Sequence, residues 1–283
     1  MVNKHRDMVN LGLIGCGAMG SELARSVQRG EAGPARIIAV FDQSTSARNK
    51  LAQELSRGQA PPLIEVDTIT DLTVIDELDL VVECASQQVV ATHAVSIVSA
   101  GKSMLIMSSG AMIEPGLMQM VMKAAEKSGA SLYIPSGAVG GIDALRASKA
   151  VLEEVTIVSS KPPLALSGAP GFADWEDKKI TEPTVIFQGS ATKAVPLFPA
   201  NVNVAATVSL AGIGPDSTKV VVIADPDSPG NVHEIKAISQ AGVFSFRFEN
   251  RPHDTNPKTS FLAVLAAVET LRSICEPSLR IGT

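Results

Sequence analysis

Four histidines and one glycine-rich turn hold most of the chemistry this chain could perform. A redox step at a C–N or C–O bond needs a proton acceptor that works near neutral pH, and imidazole serves best. His5 lies in a polar leader, His93 on a helix expected to pack on a sheet, and His253 in a polar loop after Pro252. His233 differs. In Asn231-Val232-His233-Glu234-Ile235-Lys236-Ala237, a period of two puts it on the face of Ile235 and Ala237, with Glu234 and Lys236 turned away. A core histidine satisfied by a backbone carbonyl would fit the same pattern. The glycine-rich turn tips the balance toward an acid/base role, and His233 is the well-placed candidate.

That turn is Gly15-Cys16-Gly17-Ala18-Met19-Gly20. It follows the apolar run Asn10–Ile14 and leads straight into Ser21–Val27, which has helical spacing. Gly15 allows the turn, Gly17 lets the backbone approach a pyrophosphate, and Gly20 lets helix and strand pack closely. The helix N-terminus offers unpaired N–H groups to the phosphates. Cys16, Ala18 and Met19 fill the variable positions and are expected to line the cofactor, which argues against Cys16 as a nucleophile. A second strand, Arg36–Phe41, ends at Asp42, 22 residues beyond Gly20, where an acidic residue should reach the ribose 2′-OH of NAD. Asp42 should repel a 2′-phosphate, while the nearby Arg48 leaves NADP open.

These residues need elements to hold them. From residue 10 to about 135, strands and helices alternate, the pattern of a Rossmann-type, doubly wound parallel sheet. Leu80–Ala85 reads as a buried parallel strand; helices are expected near Leu72–Leu78, Val89–Ala100 and Leu117–Lys127. Ala85-Ser86-Gln87 and Ser108-Ser109-Gly110-Ala111 read as strand-end loops beside the cofactor, with Ala85 and Ser86 as contacts. The pattern changes at Ser136-Gly137-Ala138-Val139-Gly140-Gly141, so the expected domains are 1–136 for the dinucleotide and 137–256 for substrate, catalysis and dimerisation. Strands dominate the second, at Val155–Val158, Thr184–Phe187, Lys219–Ala224, Asn231–Ile238 and Val243–Glu249. This predicts an α+β domain with a largely antiparallel sheet. One helix, Asn201–Ala211, interrupts it. A terminal segment of about 257–283, carrying a helix over Thr259–Cys275, should pack back on the first domain.

Composition narrows the class. The 283 residues are 45% hydrophobic and 19% charged, as in a globular protein, and the net charge is −5. That charge, with no basic cluster, argues against nucleic acid as a partner. No apolar run reaches the roughly 20 residues needed to cross a bilayer, and the first residues lack a secretory pattern. Cys16, Cys84 and Cys275 form no metal spacing, so the expectation is reduced thiols, no metal and a cytoplasmic protein.

Taken together, six segments carry a family resemblance: Gly15–Gly20, Val82-Glu83-Cys84-Ala85-Ser86, Ser136–Gly141, Asn201-Val202-Asn203-Val204-Ala205-Ala206, Asn231–Ile235 and Asn256-Pro257-Lys258-Thr259-Ser260. In this order, from residue 10 to about 275, the chain resembles the L-aspartate dehydrogenases of bacteria and archaea. The departures are small: Ser109 and Met112 stand where other small or apolar residues are expected, and the insert near 168–179 looks variable. The resemblance implies oxidative deamination of L-aspartate to oxaloacetate and ammonia through iminoaspartate, with NAD or NADP. In some organisms it implies delivery of iminoaspartate to NAD biosynthesis. It puts the active-site histidine on His233 and further cofactor contacts on Ala138 and Asn203, and it points to a homodimer. For the two substrate carboxylates the candidate donors are the loop amides around Gly137 and Gly140, with Lys258 and Thr259. The rival readings are an oxidoreductase like homoserine dehydrogenase or dihydrodipicolinate reductase, and a non-enzymatic NAD(H) sensor on the same fold.

Overall fold

The computed structural model describes residues 8–56, 63–199, 203–253 and 256–276; at residues 252, 253 and 256–259 the backbone alone is described. The chain divides into two compact units. One comprises residues up to Pro135 with the segment from Val264, and the other runs from Ser136 to Ala263.

The first unit alternates β1 (Val9–Ile14), α1 (Ala18–Gln28), β2 (Ala35–Phe41), α2 (Thr45–Leu55), β3 (Ile64–Glu65) and α3 (Ile69–Thr73). It continues with β4 (Leu80–Glu83), α4 (Gln87–Ser99), β5 (Ser103–Ile106), α5 (Leu117–Ser128) and β6 (Leu132–Tyr133). The six strands pair in parallel in the order β3-β2-β1-β4-β5-β6. Every residue of β1 and β4 is buried, which is why these strands read as unbroken apolar runs rather than alternating ones. The strand order reverses between β1 and β4, and open α/β sheets bind ligands outside the carboxyl ends at such a point. Register brings those ends level: Ile14 pairs with both Phe41 and Glu83, and Glu83 with Ile106.

Side-chain caps at Ser44, Thr68 and Ser86 mark where α2, α3 and α4 begin. Thr68 and Asp71 form a capping box, so α3 starts at Ile69 and ends at Thr73, only two residues into the Leu72–Leu78 helix expected from spacing. The β-branched run Thr73-Val74-Ile75 then leaves the helix for a turn.

The second unit carries α6 (Ile142–Ser148), β7 (Leu152–Lys161), α7 (Pro163–Leu166), β8 (Thr184–Ser190), α8 (Ala191–Leu197), α9 (Asn203–Ala211) and β9 (Lys219–Ala224). It ends with β10 (Asn231–Ser239), β11 (Gly242–Asn250), β12 (Pro252–His253), β13 (Asn256–Ser260) and the start of α10 (Phe261–Cys275). The main sheet runs β11-β10-β7-β9-β8; β7 and β9 pair in parallel and the other neighbours are antiparallel. One face buries Val155, Ile157, Ser159 and Lys161 of β7 with Asn231, His233, Ile235 and Ala237 of β10. α9 packs on β7, and α6 and α8 pack on α9. The opposite face exposes Glu154, Glu234, Lys236 and Arg247.

The last helix begins at Phe261, two residues later than expected, and Thr259 is in a strand. Pro257 disfavours helical backbone at Asn256, and the segment pairs instead with Pro252–His253. α10 then adds Val264, Ala267, Val268 and Leu271 to the core built by Leu11, Leu13, Leu23, Val40, Leu51 and Leu80. No described helix is long and apolar enough to cross a membrane.

Candidate active site

At the end of β1 each glycine of the turn meets a different constraint. Gly15 has φ +97°, and a Cβ there would stand 2.7 Å from the Cys84 carbonyl oxygen. A Cβ on Gly20 would overlap the Gly15 carbonyl oxygen and meet its carbon at 3.0 Å. Gly17, the residue just before α1, faces nothing within 4 Å. Two glycines are thus demanded by the fold, and the third by space beside a helix N-terminus. That open cradle fits a dinucleotide pyrophosphate.

Asp42, the expected ribose acceptor, directly follows β2 and braces the turn. Its Oδ2 accepts from the Cys16 N–H at 2.6 Å and its Oδ1 from the Ser44 N–H at 2.7 Å. Burial, then the charge of Asp42, pushes the Cys16 thiol up to about 12, so it stays protonated and is no nucleophile. Arg48 is committed elsewhere: it donates to the Val66 carbonyl at 2.6 Å and to Asp67 at 3.0 Å.

A residue that sequence reading passed over holds the neighbouring loops. Glu83, fully buried at the end of β4, accepts from the Ala85 N–H at 2.7 Å, the Ser108 N–H at 3.0 Å and the Ser108 hydroxyl at 2.8 Å. Burial raises its pKa, and the donors from Ser108 and Ala85 oppose that shift. Ser86 caps α4, its hydroxyl accepting from the Val89 N–H. The Ser108–Ala111 segment lies at the end of β5, where Ser108 precedes a buried 3-10 turn over Ser109–Ile113 and is held by Glu83. The signal was a lone carboxylate ending an apolar strand. Glu83→Gln keeps the shape but sets an amide donor against a backbone N–H. We expect a loss of about 1–3 kcal/mol, the scale of an unmet buried group, with weaker NADH affinity. Thermal unfolding and NADH titration check this; a native-like variant would refute the bracing role.

In the second unit, His233 is 2% exposed and its Nδ1 lies 2.9 Å from the Ser159 hydroxyl. When Nδ1 carries the hydrogen and donates to Ser159, Nε2 keeps a free lone pair. The expected near-neutral imidazole is not found: burial, then the charge of Lys161, pushes its pKa down to about 3. Ser159 and Lys161 also escaped sequence reading. Following the period of two along β7 past Val158 would have put a serine and a lysine on the apolar face.

The other candidates sort by unit. Gly15, Cys16, Gly17, Ala18, Met19, Gly20, Asp42, Ala85 and Ser86 gather at the strand ends of the first. In the second, Gly137 (φ +70°) opens the loop before α6, and the buried Ala138 carbonyl accepts from the Asn250 amide at 2.8 Å. A Cβ on Gly140 would stand 3.3 Å from Phe248, the cross-strand partner of His233. Asn203 is the first residue of α9. Lys258 and Thr259 lie in β13, their side chains outside the described residues, as are Asn201 and Val202.

Known proteins match both units. Residues 15–135 match the family described as homoserine dehydrogenase, NAD binding domain, and residues 143–274 match aspartate dehydrogenase, C-terminal. The L-aspartate dehydrogenase of Nitrosopumilus maritimus is 39% identical over 278 residues, covering 98% of this chain and 100% of that protein. That of Methanosarcina mazei is 41% identical over 279 residues, with the same coverage. The crystal structure of aspartate dehydrogenase from Thermotoga maritima superposes with a TM-score of 0.76 at 28% identity, covering 97% of this chain and 99% of that one.

Proposed function

The chain belongs to the L-aspartate dehydrogenase family, and from that premise we propose that it converts L-aspartate, water and NAD⁺ reversibly to oxaloacetate, ammonium, NADH and a proton. The observation that carries this reading is the buried His233, hydrogen-bonded through Nδ1 to Ser159, in a chain that matches those enzymes over 98% of its length.

NAD, when bound, accepts the hydride from the α-carbon of aspartate. The protein's own part is binding, orientation and proton traffic. The α1 N-terminus and the space at Gly17 would take the pyrophosphate, and Asp42 the adenosine ribose. Asp42 repels a 2′-phosphate and Arg48 is held on Val66 and Asp67, so we read NAD as the preferred cofactor. Ala138 and Asn203 are proposed to hold the nicotinamide half. Water adds to the imine carbon of iminoaspartate; His233 takes the proton that water sheds and returns one to the departing nitrogen. Gly137 and Gly140 amides, Lys258 and Thr259 remain candidate carboxylate donors.

The test is NADH oxidation with oxaloacetate and ammonium, with homoserine and NAD⁺ run alongside. Turnover of oxaloacetate with no reaction of homoserine supports the reading. NADH binding with oxaloacetate ignored would sink it.

A further inference from the structure

Lys161 is a buried charge to which the scheme above gives no task. It ends β7 two residues beyond Ser159, on the same face, and is 3% exposed. Ser159 is hydrogen-bonded to His233, and the Lys161 ammonium is near enough for its charge to act on that imidazole. Asn231 opens β10 on the same face, 2% exposed, and its side-chain oxygen has no hydrogen-bond partner. A lysine deep in a domain and a buried acceptor without a donor are both rare in protein interiors. Side by side they mirror an amino acid: an ammonium suits a carboxylate, and an amide oxygen suits the N–H of an amine or imine.

We propose that Lys161 and Asn231 form the amino-acid subsite beside His233, Lys161 binding a substrate carboxylate and the Asn231 oxygen accepting from the substrate nitrogen. This rests on the dehydrogenase reading and names the residues that make it select an amino acid with a carboxylate to spare. It also explains how His233 can work. Burial holds Lys161 at about 8, and that charge helps to hold His233 at about 3. A carboxylate laid on Lys161 opposes its field at the imidazole, so His233 becomes a stronger base when substrate is present. Among the described residues, no other ionisable side chain faces this place from the neighbouring strands or from α9: β9 presents Val222 and Ala224, β11 presents Phe248, and the buried polar side chains of α9, Thr207 and Ser209, are hydroxyls.

Succinate and aspartate, titrated by calorimetry with saturating NADH so that neither ligand reacts, separate the two roles, with oxaloacetate kinetics alongside. Lys161→Met should bind NADH normally and keep the native circular dichroism spectrum, which shows that it folds. It should lose about 10- to 100-fold in succinate affinity, with a matching rise in KM for oxaloacetate. Asn231→Ala, which removes no charge, should weaken aspartate while leaving succinate within threefold, and it serves if the first variant fails to fold. Native-like succinate affinity and KM in Lys161→Met, or equal losses of both ligands in Asn231→Ala, overturn the assignment. Succinate binding that depends on Lys161 in a protein without turnover would keep the subsite and remove the dehydrogenase reading. A native protein that neither turns over nor binds succinate removes both.

Discussion

Gly20→Ala is expected to lose NADH affinity on the order of 100-fold and to unfold several degrees early, whereas Gly17→Ala loses affinity and keeps its stability. Inside a helix, alanine in place of glycine ordinarily gains about 1 kcal/mol. Here the added methyl overlaps the Gly15 carbonyl oxygen, and such overpacking costs about 1–3 kcal/mol or more. Gly15 has no room to retreat, because the Cys84 carbonyl stands against its other side. The strain therefore wins over propensity, and the turn that cradles the cofactor moves with it. At Gly17 a methyl meets no protein atom, so stability should stay within about 0.5 kcal/mol. NADH titration and thermal unfolding of both variants test the pair. Undiminished NADH binding by Gly17→Ala would mean the pyrophosphate does not use that space.

His233→Asn is expected to bind NADH like the native protein and to lose turnover by about 10²- to 10⁴-fold, the range for a general acid/base. The same variant should change acid stability. In the folded state the imidazole sits at about 3, below its ordinary 6.5, because burial and Lys161 disfavour its charge. Its contribution to stability is complete above pH 6.5 and is lost as pH falls toward 3, at about 1.4 kcal/mol per pH unit. Asparagine has no proton to gain, so its stability should fall less steeply across that window. Urea unfolding at pH 7, 5 and 4 reads the difference. Parallel acid profiles for the two proteins would show that His233 is not held neutral, and unchanged turnover would remove it from the mechanism.

The fold was legible in the sequence where periodicity and glycine chemistry agree. The run Asn10–Ile14 into Gly15–Gly20, and the buried Leu80–Val82, could hardly be other than parallel strands meeting at a ligand-binding end. The alternation around His233 gave its face correctly. What escaped depends on partners distant in sequence. Glu83 matters because Ser108, on the next strand's loop, comes to meet it, and the second push on the imidazole, after burial, comes from Lys161, which sequence spacing around His233 does not show. The parallel pairing of β7 with β9, inside a sheet correctly read as largely antiparallel, is likewise invisible to local pattern. The misplaced start of α10 had a local cause, since Pro257 marks a boundary that apolar spacing ignores.

The core position of α10 has a consequence for biosynthesis. Leu11, Val40 and Leu80 emerge from the ribosome early, yet Val264, Ala267, Val268 and Leu271, which cover part of the same cluster, emerge only after the entire second unit. The nucleotide-binding half must wait with an open seam while the other half is made. Its first strands are thus exposed to premature association during translation, and the two halves finish folding in the reverse of the order in which they begin.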